Sequence, residues 1–416
     1  MLLDYMLKSF IQEGTLKIID RVGKTHVYSG KKGLSVTIRL HNKQIERHLL
    51  WRPQLALGEG FVEGSITLEE GSLYQLLELT SKNLALNKYR IGILQKVFFV
   101  FSHLISNIQQ QNPISRARQR IAHHYNLNDD FIKLFLDKDL QYSCAYFKTP
   151  EDSLETAQEN KKIHIAKKLC LKPGQRVLDI GSGWGGMALF LAKYADVEVV
   201  GLTLSKEQHR LATERARQLN LTDRVKFYLR DYREETGKYD RIVSVGMFEH
   251  VGVPHYQTYF DQVVRLLNED GLMLLHAIGT SGKPRAKDPW INKYIFPGGY
   301  CPSLSEVIPK VENARLLIND IEILQTHYAE TLKNWRERFM KNRDDAKKLY
   351  NEQFCKMWEY FLTVSEIAFR FQDLMVFQIQ LTRTKNITPL TRDYMYHENT
   401  KQETAHLEKD FFAVLS

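Results

Sequence analysis

The stretch "VSVGMFEHVG" (243–252) runs an apolar strand straight into Glu249 and His250. A carboxylate and an imidazole are the side chains best suited to moving protons or holding small ions near neutral pH. "LLHAIG" (274–279) brings His276 to the end of a second apolar run. Between residues 179 and 186, "DIGSGWGG" fits G-x-G-x-x-G through Gly181, Gly183 and Gly186. Such glycines let a strand turn sharply into a helix and let a ligand approach the backbone.

The glycine pattern alone serves nicotinamide, flavin and S-adenosylmethionine sites alike. Two details favour S-adenosylmethionine. Asp179 lies two residues before the first glycine, where a carboxylate can meet a cationic ligand. A dinucleotide site also wants an acid about 20 residues on, at the end of the second strand, for the ribose hydroxyls. That end reads "GLTLS" (201–205) and has none; it offers Thr203, Ser205 and, one turn later, Gln208.

These residues need elements to hold them. From about residue 121, strand-like and helix-like stretches alternate. The strands are expected at 176–180, 197–205, 225–231, 239–248 and 271–279, and the helices at 187–195, 206–221 and 256–269. Alternation of this kind predicts a parallel sheet with helices on both faces, and ligands beyond the carboxyl ends of its strands. Glu249 and His276 fall at such ends. The first 112 residues read differently, with a strand at 33–40 and a turn-rich stretch at 57–79 that ends in a helical pattern. The expectation is an α/β protein: a Rossmann-like catalytic domain (123–416, ending in helices), a polar, basic linker (113–122) and a small α+β domain (1–112).

Composition narrows the class. Hydrophobic residues are 43% and charged residues 26%, as in ordinary globular proteins. Four scattered cysteines without a C-x-x-C pair argue against a zinc site or a disulfide framework, and no metal is expected. The N-terminal stretch lacks the features of a signal peptide, and the apolar run 97–105 is about half of what a membrane-spanning helix needs. The expected location is cytoplasmic. Of the net charge of +9, residues 1–120 carry +8, from 17 basic and 9 acidic side chains. That asymmetry suggests an anionic partner, a membrane surface or nucleic acid. No nucleic-acid module is recognisable, so nucleic acid is not expected.

Several stretches together resemble the cyclopropane fatty acid synthases, including the mycolic acid cyclopropane synthases. They are "HHYNLNDDFIKLFLDKDLQYSCAYF" (123–147), "LDIGSGWGG", "GLTLSKEQ" (201–208), "MFEHVG", "LLHAIG", "INKYIFPGGYCPS" (291–303) and "THYAETLKNWRERF" (326–339). The resemblance runs from about residue 115 to the C-terminus and continues more weakly before it. It implies transfer of the methyl of S-adenosylmethionine to a cis double bond in an acyl chain of a membrane phospholipid. The resulting carbocation then loses a proton from the new methyl and the ring closes. A bound bicarbonate is the base, held by the Cys144 and Ile278 amides and by Glu249, His276 and Tyr328. The cofactor contacts it implies are Tyr142, Ser143, Asp179, Gly181, Ser182, Gly183, Trp184, Gly185, Thr203, Leu204, Ser205, Gln208, Tyr232 and Arg233, with Asp231 either at the adenine or a cap. His250 is read as structural. The resemblance also implies a homodimer and a peripheral position at the inner membrane face, where the basic N-terminal region would meet anionic headgroups. Some family members have a cysteine where this chain has Ser365, so no catalytic thiol is expected there, and Cys355 reads as an inert buried thiol. The aromatic-rich segment 279–300 reads as a cover over the acyl channel. Two alternatives stand beside this reading: a related methyltransferase making an amine or branched-methyl product, and a non-catalytic lipid-binding protein.

Overall fold

The computed structural model describes residues 2–87 and 129–396. The apolar run 97–105 and the linker expected at 113–122 lie outside the described residues. The described residues group into two compact units. The first joins residues up to 87 with Arg285–Pro297 and Ala329–Leu374; the second holds 129–284, Gly298–Tyr328 and the residues from Met375 on. This grouping cuts across the contiguous division expected from the sequence.

In the first unit, strands β1 (Glu13–Ile19), β2 (Thr25–Ser29), β3 (Lys31–Leu40) and β4 (Ile66–Glu70) form a sheet in the order β2-β1-β3-β4. Its buried face carries Leu16, Ile18, Val36 and Ile38. The stretch read as turn-rich differs from expectation. A helix, Pro53–Glu63, runs through Gly58 and Gly60. Their role is close packing: a Cβ on Gly58 would stand 2.5 Å from the Trp290 ring, and one on Gly60 would stand 2.6 Å from Ile66. Pro53 suits the first helical turn and Gly64, at φ +82°, ends the helix. The 279–300 segment likewise contains a short helix, Pro289–Tyr294, whose first amides are capped by Asp288. Trp290 is buried in this unit, beside Gly58 and Tyr360.

The second unit is a seven-stranded, mostly parallel sheet in a mixed α/β fold, as the alternation predicts. Its strands are β5 (Arg176–Ile180), β6 (Glu198–Thr203), β7 (Val225–Leu229), β8 (Tyr239–Val245), β9 (Leu267–Thr280), β10 (Leu317–Ile323) and β11 (Leu374–Thr382). The order is β10-β11-β9-β8-β5-β6-β7. β9, β8, β5, β6 and β7 run parallel, whereas β10 and β11 are antiparallel to each other. The strands are continuous apolar runs because helices cover both faces. The Gly186–Ala195 and Lys206–Gln218 helices pack with one cluster around Val177, Val199 and Leu274, and the Tyr256–Leu266 helix packs with another around Leu178, Ile242 and Leu275. β6 and β8 flank β5 on opposite sides, so the winding reverses there, and a crevice is expected outside the ends of β5 and β8.

Candidate active site

β5 ends at Asp179 and Ile180 and breaks into the glycine loop. Gly181 has φ +85°, and a Cβ there would stand 2.8 Å from the Met247 Cβ. The loops after β5 and β8 therefore touch at a place only glycine fits. The amides of Gly181 and Ser182 donate to the Leu202 carbonyl at 3.0 and 2.9 Å, tying the loop to β6.

A cleft of about 1170 Å³, counted to its open mouth, lies over these strand ends. Asp179, Gly181, Ser182, Gly183 and Trp184 form one wall, and Tyr142 and Ser143 another. Thr203, Leu204 and Gln208 close the β6 side, where the Thr203 hydroxyl donates to Gln208 Oε1 at 2.8 Å. Tyr232 and Arg233 line the β7 side. Asp231 lies there too: it caps the turn through the Arg233 amide at 3.0 Å and also grips the Arg233 guanidinium at 2.8 and 2.7 Å. Gly185 and Ser205 stand behind the cleft as helix N-caps. His250, read from sequence as structural, is on the cleft wall, with Gln141, Arg230 and Met247.

Asp179 is buried, and its Oδ2 has no hydrogen-bond partner. Burial pushes its carboxyl up to about 7, against a pull downward from the Lys161 charge. A buried carboxylate is costly unless it neutralises or meets a cation. This orphaned oxygen on the cleft wall fits a cationic ligand, and the open space beside Gly183 leaves room for it.

Glu249 sits in the short 3₁₀ turn Phe248–His250 after β8. Its Oε1 accepts the Ile278 amide at 2.6 Å, while Oε2 is buried without a partner. Burial pushes this carboxyl up to about 7. His276, two residues before Ile278 on β9, is buried and held far below its usual value, at about 3, first by burial and then by the Lys161 and Lys168 charges. It is a neutral imidazole at physiological pH. Gln378 Nε2 on β11 lies 3.1 Å from its Nδ1. An amide nitrogen can only donate, so Nδ1 accepts and the ring proton belongs on Nε2. A buried carboxyl that changes charge near pH 7, together with a neutral imidazole of defined tautomer on the neighbouring strand, can hold an anion and exchange a proton with it.

The mycolic acid cyclopropane synthetase family model matches residues 112–379. The chain belongs to this family. A cyclopropane-fatty-acyl-phospholipid synthase from Escherichia coli K12 is 39% identical over 350 residues, covering 83% of this chain and 87% of the relative. A probable fatty acid methyltransferase from Pseudomonas putida is 33% identical over 378 residues, covering 87% and 91%. A solved mycolic acid cyclopropane synthase, complexed with SAH and CTAB, superposes with a TM-score of 0.61 at 34% identity, covering 65% of this chain and 99% of that one.

Within this family fold, Cys144 is buried and its thiol donates to the Ala145 carbonyl at 3.3 Å. Tyr328 is half-buried near the start of the His327–Lys341 helix. The Phe147 amide donates to His327 Nδ1 at 3.1 Å, which ties that helix start to the segment carrying Cys144. Tyr146 stacks between His164 and His327, with ring centroids 4.4 and 4.9 Å away, and Phe296 packs on Phe361. Ser365 is half-buried on the Glu352–Phe371 helix of the first unit. Cys355, on the same helix, is buried 3.9 Å from the Arg343 carbonyl, and burial pushes its thiol up. Sequence reasoning missed Gln378 and Lys161. Gln378 had a signal, a polar side chain inside the apolar strand "LMVFQIQLT"; Lys161, within "ENKKIHIAKK", reads as one of several solvated lysines.

Proposed function

We propose that the protein is a cyclopropane-fatty-acyl-phospholipid synthase, acting on cis double bonds of unsaturated acyl chains in membrane phospholipids with S-adenosylmethionine as methyl donor. One observation carries this reading. The turn that puts His250 on the cleft wall also puts Glu249 against the Ile278 amide, so a proton-handling site adjoins the cleft. Methyl transfer to an amine removes no proton from the transferred methyl group. S-adenosylmethionine, when bound, supplies the electrophilic methyl group. Asp179 faces its cationic end, and Tyr142, Ser143, Thr203, Gln208, Tyr232 and Arg233 orient the remainder. A bicarbonate ion supplies the base for the second half of the reaction. Glu249, which still holds a proton near neutrality, can donate to that anion where a bare carboxylate would repel it. The Cys144 amide, His276 and the Tyr328 hydroxyl complete its seat, with the Ile278 amide joining them once Glu249 turns from it to the anion.

The protein acts at the cytoplasmic face of an anionic membrane, as a homodimer. Lys43, Arg47 and Trp51 lie four residues apart on one helix, all exposed, with Trp51 at 78%. A basic stripe ending in an exposed tryptophan suits an interface of anionic headgroups and acyl chains. No helix among the described residues is long and apolar enough to cross a membrane.

A second reading, a methyl-branched product, is favoured by the Pseudomonas putida relative's name. A fully deuterated methyl donor, with the product's carbon skeleton read by NMR, separates the two. Ring closure removes one hydrogen from the transferred methyl, so the lipid product keeps two deuteriums. A product with three deuteriums would replace the ring by a branch or an amine methyl.

A further inference from the structure

Lys161 is completely buried on the Leu154–Lys168 helix. Its ammonium donates to Gln141 Oε1 at 2.7 Å and to Ser143 Oγ at 2.9 Å. Both acceptors are neutral, and both residues line the cofactor cleft. Neighbouring Lys162 is paired with Asp139 and Glu159, at 2.8 and 2.7 Å. Lys161 has no carboxylate within ion-pair distance among the described residues. A buried cation in that position is costly, and the strongest carboxylate charge on it, that of Asp137, acts through space without an ion-pair contact.

The charged and titratable groups around it come from four elements. Asp137 and Asp139 lie on the segment before the cleft wall, Lys162 on its own helix, and Cys144 just past Ser143. Asp179 at the end of β5 and His276 on β9 both feel its charge. The ammonium thus stands behind Gln141 and Ser143, and its charge reaches both the cofactor carboxylate and His276. The same helix holds that wall by its backbone, because Gln158 Nε2 donates to the Gln141 and Ser143 carbonyls at 3.3 and 3.1 Å.

We propose that Lys161 is the positive counter-charge of the anionic base, a positioning residue that holds the wall carrying Ser143 and Cys144 and draws the anion to it. This rests on the bicarbonate reading above. Among the groups assigned to that seat, Glu249 repels an anion when ionised, His276 is neutral and the rest are dipoles, so Lys161 alone brings a full positive charge. Burial, the largest influence, brings its ammonium down to about 8. The charge is present below that pH and is lost above it.

The test is turnover on vesicles of monounsaturated phosphatidylglycerol, in buffer stripped of carbon dioxide, against added bicarbonate from pH 7 to 9. SAH affinity is measured alongside. Ionisation of Glu249 raises the bicarbonate needed for half-maximal turnover from about pH 7 in every variant; in the wild-type protein a further, steeper climb should begin above pH 8. Lys161→Met should raise the bicarbonate needed at least tenfold at pH 7 and flatten that further climb, a larger change than in SAH affinity. Lys161→Arg keeps its charge throughout this range. It should stay near the wild-type value at pH 7 and lose the climb, and it serves as the test if the methionine variant fails to fold. Wild-type turnover that ignores bicarbonate overturns the base reading and this proposal together. A bicarbonate-dependent wild type with an unchanged midpoint in Lys161→Met, or an unchanged climb in Lys161→Arg, overturns the role of Lys161 alone.

Discussion

Glu249→Gln should make the protein more stable and nearly inactive at once. The carboxyl is raised from 4.5 to about 7, mainly by burial. Its folded form therefore holds a proton that the unfolded chain releases between those two values. Stability from this group is present below pH 4.5, falls as pH rises towards 7, and is flat above. A shift of that size corresponds to roughly 3 kcal/mol lost at pH 8 relative to a neutral side chain. Glutamine is neutral, close in shape, and can still accept the Ile278 amide that now bonds to Oε1 at 2.6 Å. The variant should gain on the order of 2–3 kcal/mol at pH 8 and little at pH 5. Asp179 and Asp137 contribute slopes of the same sign and His276 one of the opposite sign in both proteins, so the difference between the two proteins, not either slope alone, reads Glu249. Urea melts at pH 5 and 8 read the stability, and SAH release on unsaturated vesicles reads turnover, which should fall by two or more orders of magnitude. Equal destabilisation at both pH values with turnover near normal would refute both the buried-charge argument and the role in proton transfer.

The exposed stripe gives a second test: Lys43→Gln with Arg47→Gln should weaken binding to anionic vesicles by roughly 1 kcal/mol per charge and flatten its salt dependence, and equal wild-type binding to neutral vesicles at any salt would exclude the stripe as an electrostatic anchor. Gly58→Ala should destabilise the first unit by roughly 1–3 kcal/mol through overpacking, since the added Cβ meets the Trp290 ring at 2.5 Å; melts matching the parent would show that the helix shifts freely.

Much of the catalytic sheet was legible because its strands are apolar runs bounded by glycines and polar residues, a local signal. The glycine loop was legible for the same reason, and Asp179, Glu249 and His276 stood out as polar side chains at strand ends. What failed was whatever depended on distant partners. Gly58 and Gly60 look like turn residues, and the reason they sit in a helix is partly an aromatic ring more than 200 residues away. Lys161 is chemically the same as the exposed lysines, and only the burial of its helix face distinguishes it. His250 follows Glu249 directly, and a 3₁₀ turn decides which of them reaches the cleft.

The place of β11 bears on how the protein is made. Among the described residues it is the last strand, yet it lies between β10 and β9. On the ribosome, β9 is complete at Thr280, but its neighbour ends only at Thr382. At synthesis rates of up to about 20 residues per second, roughly 5 s or more separate the two. During that time one edge of β9 has no native strand to pair with, and His276 lacks the Gln378 amide that sets its tautomer. An open apolar edge is a template for mispairing. Chains stalled or truncated in this interval should be the ones that aggregate or draw on chaperones, and they should lack activity even with the glycine loop formed.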